Sequence, residues 1–90
     1  MKTVKLVITG TVQGIFFRKF LKDEADGLGL KGFARNLDDG SFEVVVEGRD
    51  ENVNEMVVLC KKGPKHTEIK SVKAHDMPHQ GFDSFKILSL

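Results

Sequence analysis

A strand passes into a helix through residues 10–18, which read Gly-Thr-Val-Gln-Gly-Ile-Phe-Phe-Arg. An alternating run from Val4 to Thr11 precedes the glycines, and apolar residues recur at helical spacing from Phe17 to Leu28. The first N–H groups of a helix lack partners within it and carry partial positive charge, so such a junction suits a phosphate. Arg18 adds a permanent cation whose planar fork matches two phosphate oxygens. The stretch therefore predicts a β-α unit with an anion site at its turn.

The composition predicts one soluble domain over residues 1–90. The 14 basic and 13 acidic residues give a net charge of +1, which favours neither nucleic acid nor an anionic membrane as partner. The single cysteine, Cys60, cannot form an intramolecular disulfide, which favours the reducing cytoplasm. Neither a signal peptide nor a run of roughly 20 apolar residues is present, so we expect no membrane segment.

The segment after the first helix predicts a β-hairpin. Residues alternate from Leu30 to Leu37, where the small residues Gly32 and Ala34 would let a helix pack closely on one face. Asp39-Gly40 is a hairpin-turn signal, and the next strand runs from Phe42 to Gly48. Two glutamates flank the valines of that strand and are expected to guard it against edge pairing.

A second helix is predicted after the hairpin. Asp50 or Asn52 can cap it, with Glu55 in the capping-box position, and Gly63-Pro64 ends it. Its apolar stripe consists of Val53, Met56, Val57 and Cys60. A weaker strand with a bulge follows from Thr67 to Asp76, then a loop and a short last strand from Phe85 to Leu88.

The order β-α-β-β-α-β predicts an α+β fold of the ferredoxin-like, split type. We expect an antiparallel sheet of order 4-1-3-2 with a short extra C-terminal strand and both helices on one face. The first two strands then run parallel, so Asn36 at the end of the second lies on the same rim as residues 10–18. One strand separates them, roughly 10 Å, a gap that Arg18, Asn36 and a bound phosphate can fill together.

Other catalytic arrangements are not supported by the sequence. No Gly-Lys-Ser/Thr follows the turn, so it is not a Walker A loop. Cys60 has no arginine six positions later, as a cysteine-dependent phosphatase requires, and is read as a buried apolar residue. His66, His75 and His79 have neither cysteine partners nor paired helical spacing, so no metal site is expected. No cofactor is expected either.

This inventory limits the substrates of a phosphate-handling enzyme. Hydrolysis of a phosphomonoester needs a group that protonates or coordinates the poor leaving group. The leaving group of a mixed carboxylic–phosphoric anhydride is a carboxylate, a weak base that needs no such help. Such a reaction needs chiefly positioning and charge stabilisation. Backbone amides and Arg18 could supply the charge stabilisation, and the amide of Asn36 could hold a water in line.

Two stretches of the chain resemble the signatures of the acylphosphatase family. The first, Gly-x-Val-Gln-Gly-Val-x-Phe-Arg, corresponds to Gly10–Arg18, with Ile15 in place of valine. The second, Gly-aromatic-small-basic-Asn-x-x-x-Gly, corresponds to Gly32–Gly40. Phe42 stands where an aliphatic residue is usual, and neither departure touches a functional position. The resemblance covers nearly the whole chain.

The resemblance implies hydrolysis of acyl phosphates to a carboxylate and inorganic phosphate, without metal or cofactor. We expect the protein to act as a monomer. It assigns phosphate binding to Arg18 and the preceding loop amides, and positioning of the water to Asn36. The substrate-binding residues, acting mainly through backbone amides, would be Gln13, Gly14, Ile15, Phe16 and Phe17. Inorganic phosphate would bind as product or inhibitor.

Alternatives remain at the level of single residues and of function. Arg18 could be a surface residue at a helix start, Asn36 could cap its own turn, and Gln13 could stabilise the loop rather than contact substrate. A non-catalytic module that binds an anion or a partner protein is a second reading. An RNA-recognition-like domain is a third, because Lys31–Ala34 mimics the start of the RNP1 motif. That mimic falls on strand two rather than three, and Val7 stands where an aromatic partner is expected.

Overall fold

The computed structural model describes residues 1–88 as five strands and two helices. The strands are β1 (Lys2–Thr11), β2 (Lys31–Asn36), β3 (Phe42–Gly48), β4 (Glu68–Met77) and β5 (Phe85–Leu88), and the helices are α1 (Gly14–Gly27) and α2 (Asp50–Lys62). The sheet order is β4-β1-β3-β2-β5, so the predicted order and the ferredoxin-like α+β fold are confirmed. β5 pairs parallel with β2, which makes the sheet mixed rather than wholly antiparallel.

One face of the sheet and both helices enclose the core. β1 contributes Val4, Leu6 and Ile8 at alternating positions, and β3 contributes Phe42, Val44 and Val46. The helices fill the other side with Phe17, Leu21, Ala25, Val53, Met56 and Cys60. The ring of Phe17 packs edge-on against that of Phe42, with centroids 4.8 Å apart. Because Phe17 is fully buried one turn into α1, it fixes the start of this helix over the end of β1.

α1 begins three residues before the predicted start. Its first turn carries Ile15 and Phe16, which are 70% and 64% exposed, so the apolar periodicity that marks the helix only begins at Phe17. Its other end follows the prediction, since Gly29 adopts a left-handed φ of 66° just beyond Leu28. Neither of the helices described in residues 1–88 is long and apolar enough to cross a membrane.

Gly32 is needed for a different contact from the one predicted. A Cβ at this position would lie 1.9 Å from the carbonyl oxygen of Val45 on β3, and φ is +141°. The residue therefore has to be glycine because the neighbouring strand approaches it, and no helix contact is required to explain it.

The start of α2 also differs from the prediction. Arg49 occupies the N-cap, and no side chain caps the helix, so the predicted caps Asp50 and Asn52 are wrong. Asp50 and Glu51 instead lie in the first turn, and two lysines lie in the last, which suits the helix dipole at both ends. The stripe residues Val53, Met56 and Cys60 are buried as expected.

β3 lies between β1 and β2, so the predicted edge-guarding role of its glutamates is wrong. Glu47 is 3% exposed and accepts hydrogen bonds from the Thr3 hydroxyl at 2.5 Å and from the backbone N–H groups of Gln80, Gly81 and Phe82 at 2.7, 2.9 and 3.2 Å. Burial raises the pKa of Glu47, but these hydrogen bonds outweigh it and lower the pKa to about 2. The carboxylate thereby fixes the loop that leads into β5.

Candidate active site

The N-terminus of α1 has backbone donors without acceptors. The Phe17 N–H donates to the Gln13 carbonyl at 3.0 Å, which closes the first turn. Within residues 1–88 the N–H groups of Gly14, Ile15 and Phe16 make no hydrogen bond, as expected for the start of a helix. Gln13 occupies the N-cap without a side-chain hydrogen bond. Three amides therefore remain available to an anion.

Electrostatically, the start of α1 differs from that of α2. The first turn of α1 contains no acidic residue, whereas Asp50 and Glu51 lie in the first turn of α2. Acidic side chains at this position normally offset the partial positive charge of a helix N-terminus. The charge at Gly14 is therefore left without compensation from its own turn, which favours an external anion.

Arg18 adds a full positive charge to this end of the helix. Its guanidinium folds back along the first turn, so that a Cβ on Gly14 would lie 3.0 Å from Nη1. The same Nη1 donates to Oδ1 of Asn36 at 3.0 Å. Both residues are partly buried, and Asn36 is the last residue of β2. The two residues thus converge as the topology predicts.

The contact with Arg18 fixes which way the Asn36 amide points. A guanidinium has only donors, so the Asn36 atom that faces it has to be the oxygen. Among residues 1–88, no other hydrogen bond involves the Asn36 side chain, so its NH₂ group, with two donors, and the second lone pair of Oδ1 are available to other partners. Asn36 can therefore both donate to and accept from a small molecule beside Arg18.

The remaining predicted residues differ in what they can offer. Gln13, Ile15 and Phe16 have exposed side chains, and the first three helical residues keep free amides. Phe17 is predicted to offer its backbone amide to the substrate, but that amide already donates to the Gln13 carbonyl. Its side chain is buried in the core. Of the five predicted substrate-binding residues, those with free helical amides are therefore Gly14, Ile15 and Phe16.

Other reactive side chains lie away from this site. Cys60 is fully buried, and burial together with the charge of Glu24 raises its pKa to about 12, so it is no nucleophile. Arg35 points to the open sheet face, where it pairs with Glu43 at 2.8 Å and lies 6.0 Å from the centroid of the Phe33 ring. No group of three potential metal ligands occurs among the described residues.

A groove beside the helix start was not predicted from the sequence. Its volume is about 500 Å³, and its lining residues are Gln13, Phe16, Pro64, Lys65, His66 and Thr67. Residues 64–67 precede β4, which runs antiparallel to β1, so they reach the rim where β1 ends. The Gly63-Pro64 pair signals a chain reversal, but only the sheet order places this reversal next to Phe16.

Comparison with known proteins identifies the family of the chain. The family model described as Acylphosphatase matches residues 4–87. The acylphosphatase of Caldivirga maquilingensis is 42% identical over 83 residues, which cover 91% of this chain and 85% of that protein. The acylphosphatase of Pseudomonas aeruginosa is 41% identical over 80 residues, covering 89% and 88%. The crystal structure of acylphosphatase from Bacillus subtilis covers 98% of this chain and 99% of its own, with a TM-score of 0.92 and 29% identity. The chain therefore belongs to the acylphosphatase family.

Proposed function

We propose that the free amides of Gly14, Ile15 and Phe16, together with Arg18, bind the phosphoryl group of an acyl phosphate while Asn36 positions the attacking water. Acyl phosphate hydrolysis is the activity of the family to which the chain belongs. The observation that carries the residue assignment is the 3.0 Å hydrogen bond from Arg18 to Asn36 beside an uncapped helix N-terminus.

Charge stabilisation would come from donors that are already in place. Phosphoryl transfer spreads negative charge over three equatorial oxygens in a loose transition state. The backbone amides at the start of α1 and the guanidinium of Arg18 present several donors from two directions. These donors are already in position and need little reorganisation during the reaction. Such a cradle favours the transition state without covalent participation by the protein.

The water would be held by the part of the Asn36 amide that Arg18 leaves free. Its oxygen attacks phosphorus, the bond from phosphorus to the acyl oxygen breaks, and the electron pair leaves with the carboxylate. The water's protons remain on the phosphate, so the products are a carboxylate and dihydrogen phosphate, which exchanges its proton with solvent. An amide cannot take a proton at neutral pH, so the role proposed for Asn36 is orientation.

The leaving group explains why no acid is needed. A carboxylate is a weak base and departs without protonation, whereas an alkoxide does not. We propose that the reaction requires neither metal nor cofactor, and that residues 1–90 act as one monomeric domain in the cytoplasm without nucleic acid as partner. The net charge of +1 and the single, buried Cys60 support this setting.

The test is release of phosphate from benzoyl phosphate, measured with and without a chelator. We expect the same rate in both cases; loss of hydrolysis with chelator would refute metal independence, and no hydrolysis at all would refute the activity. Arg18→Ala should lower kcat/KM by about a hundredfold or more and weaken inhibition by inorganic phosphate, as expected on removing a donor to developing charge.

Asn36→Ala should lower kcat far more than it weakens phosphate inhibition. Full activity in this variant would exclude the proposed positioning of water. Arg35→Ala is the matched control, because Arg35 precedes Asn36 on β2 but pairs with Glu43 on the open face. It should retain nearly the activity of the unmodified protein.

A further inference from the structure

We propose that the groove between Phe16 and residues 64–67 binds the acyl group of the substrate and favours aromatic over small acyl groups. This inference rests on the proposed function, since it adds a specificity site to the same reaction. Phe16 joins the two sites, because its amide lies in the proposed phosphate cradle and its side chain lines the groove.

The first argument is the direction of the reaction. In an in-line displacement the entering and leaving oxygens lie on opposite sides of phosphorus. Asn36 lies at the end of β2, which is separated from β1 by β3, while residues 64–67 lead into β4 on the other side of β1. With the phosphoryl group at the start of α1 and the water on the Asn36 side, the leaving carboxylate points toward β4. The groove is on that side.

The second argument is the chemistry of the groove. Its lining is mostly apolar and includes Phe16 from α1 and Pro64 from the segment that precedes β4. Phe16 is 64% exposed, so its ring is accessible to a ligand. A volume of about 500 Å³ falls within the usual range for small-molecule sites. An aromatic acyl group can stack on the ring of Phe16, whereas an acetyl group has no ring and little apolar area to bury there.

The third argument is that one wall of the groove is preformed. The Thr67 hydroxyl donates to the Pro64 carbonyl at 2.5 Å, which closes the turn. His66 holds a left-handed φ of 64°, and Gly63 holds 72° with no room for a Cβ beside Thr67. The wall is also tied to β1, since a Cβ on Gly10 would lie 2.2 Å from the Glu68 carbonyl oxygen. A wall that is already ordered costs little entropy when a ligand binds.

The experiment compares benzoyl phosphate with acetyl phosphate as substrates. The ratio of their kcat/KM values is measured for the unmodified protein and for Phe16→Ala, so that the intrinsic reactivity of each anhydride cancels. We expect the ratio to fall by about tenfold in Phe16→Ala, the size of an aromatic contact with its buried area. Inhibition by inorganic phosphate is measured in parallel as a report on the cradle.

Ile15→Ala is the matched control, because Ile15 is similarly exposed in the same turn but does not line the groove, and the substitution keeps its backbone amide. Its ratio should stay that of the unmodified protein; an equal fall in Ile15→Ala would overturn the inference, and so would an unchanged ratio in Phe16→Ala. If Phe16→Ala also loses phosphate inhibition, Thr67→Val decides instead, since it alters only the opposite wall and should lower the ratio. A protein that hydrolyses neither substrate refutes the proposed function rather than the acyl site.

Discussion

Replacing Glu47 by glutamine should destabilise the fold by an amount that depends on pH. The carboxylate is buried and accepts hydrogen bonds from one hydroxyl and three backbone N–H groups, three of them from the loop that precedes β5. Glutamine keeps the shape and one oxygen, but its NH₂ group turns a donor toward N–H groups that need an acceptor. The variant therefore loses both the charge and part of the acceptor capacity.

The magnitude follows from the pKa. The pKa of Glu47 is about 2 in the folded protein and ordinarily 4.5, and each pH unit of difference corresponds to about 1.4 kcal/mol. The charged form thus contributes at most about 3.5 kcal/mol to the free energy of unfolding. A lowered pKa means that the unfolded chain binds the proton more readily between these values. The contribution is therefore complete above about pH 4.5 and mostly lost by pH 2.

Urea-induced unfolding at a series of pH values measures this contribution directly. We expect Glu47→Gln to be less stable than the unmodified protein by about 3 kcal/mol near neutral pH. The difference should shrink steadily below about pH 4.5. Glu43→Gln is the control on the same strand and face; it removes a partly exposed ion pair with Arg35 and should cost less than about 1 kcal/mol. The reasoning fails if the Glu47 variant unfolds with the unmodified protein near pH 7, or if its deficit persists undiminished at pH 2.

Two further substitutions address the site. Asn36→Asp should abolish most activity and weaken phosphate inhibition by about a hundredfold, because a carboxylate beside Arg18 offsets the charge of the guanidinium and repels the substrate. Phosphate inhibition equal to that of Asn36→Ala would contradict this expectation. Gly14→Ala should leave the urea midpoint nearly unchanged but lower kcat/KM by about tenfold, because the added Cβ lies 3.0 Å from Arg18 Nη1 and displaces the guanidinium. Unaltered kinetics would contradict this expectation.

The sequence predicts most of the fold because its signals are local. Alternation of apolar residues identifies β1 and β3, and Gly29 and Asp39-Gly40 mark chain reversals through their own backbone preferences. The roles of Glu47 and Gly32 escape the prediction because the groups that contact them lie far away along the chain. Glu47 binds a loop more than thirty residues later, and Gly32 is fixed by the backbone of β3. Neither partner can be read from neighbouring residues.

The site shows the same division between local and distant determinants. Arg18 and Asn36 could be brought together from the sequence because the crossover rule fixes the relative direction of β1 and β2. The apolar periodicity predicts a helix start that is three residues too late, because Ile15 and Phe16 are apolar but exposed and so break that periodicity. Local sequence does not predict the groove, because its second wall, residues 64–67, is placed there only through the pairing of β4 with β1.

At the uncapped start of α1, the stability of the helix and the proposed binding of the phosphoryl group make opposite demands on residue 13. A serine, threonine or aspartate at position 13 would satisfy a free amide and would typically stabilise a helix by about 1 kcal/mol. The same side chain would occupy donors that the proposed mechanism reserves for the phosphoryl group, and an aspartate would also repel it. Gln13 leaves those donors free. A screen for thermal stability alone would therefore favour the replacement of Gln13, and selection for turnover would oppose it, so this position should separate the two kinds of selection.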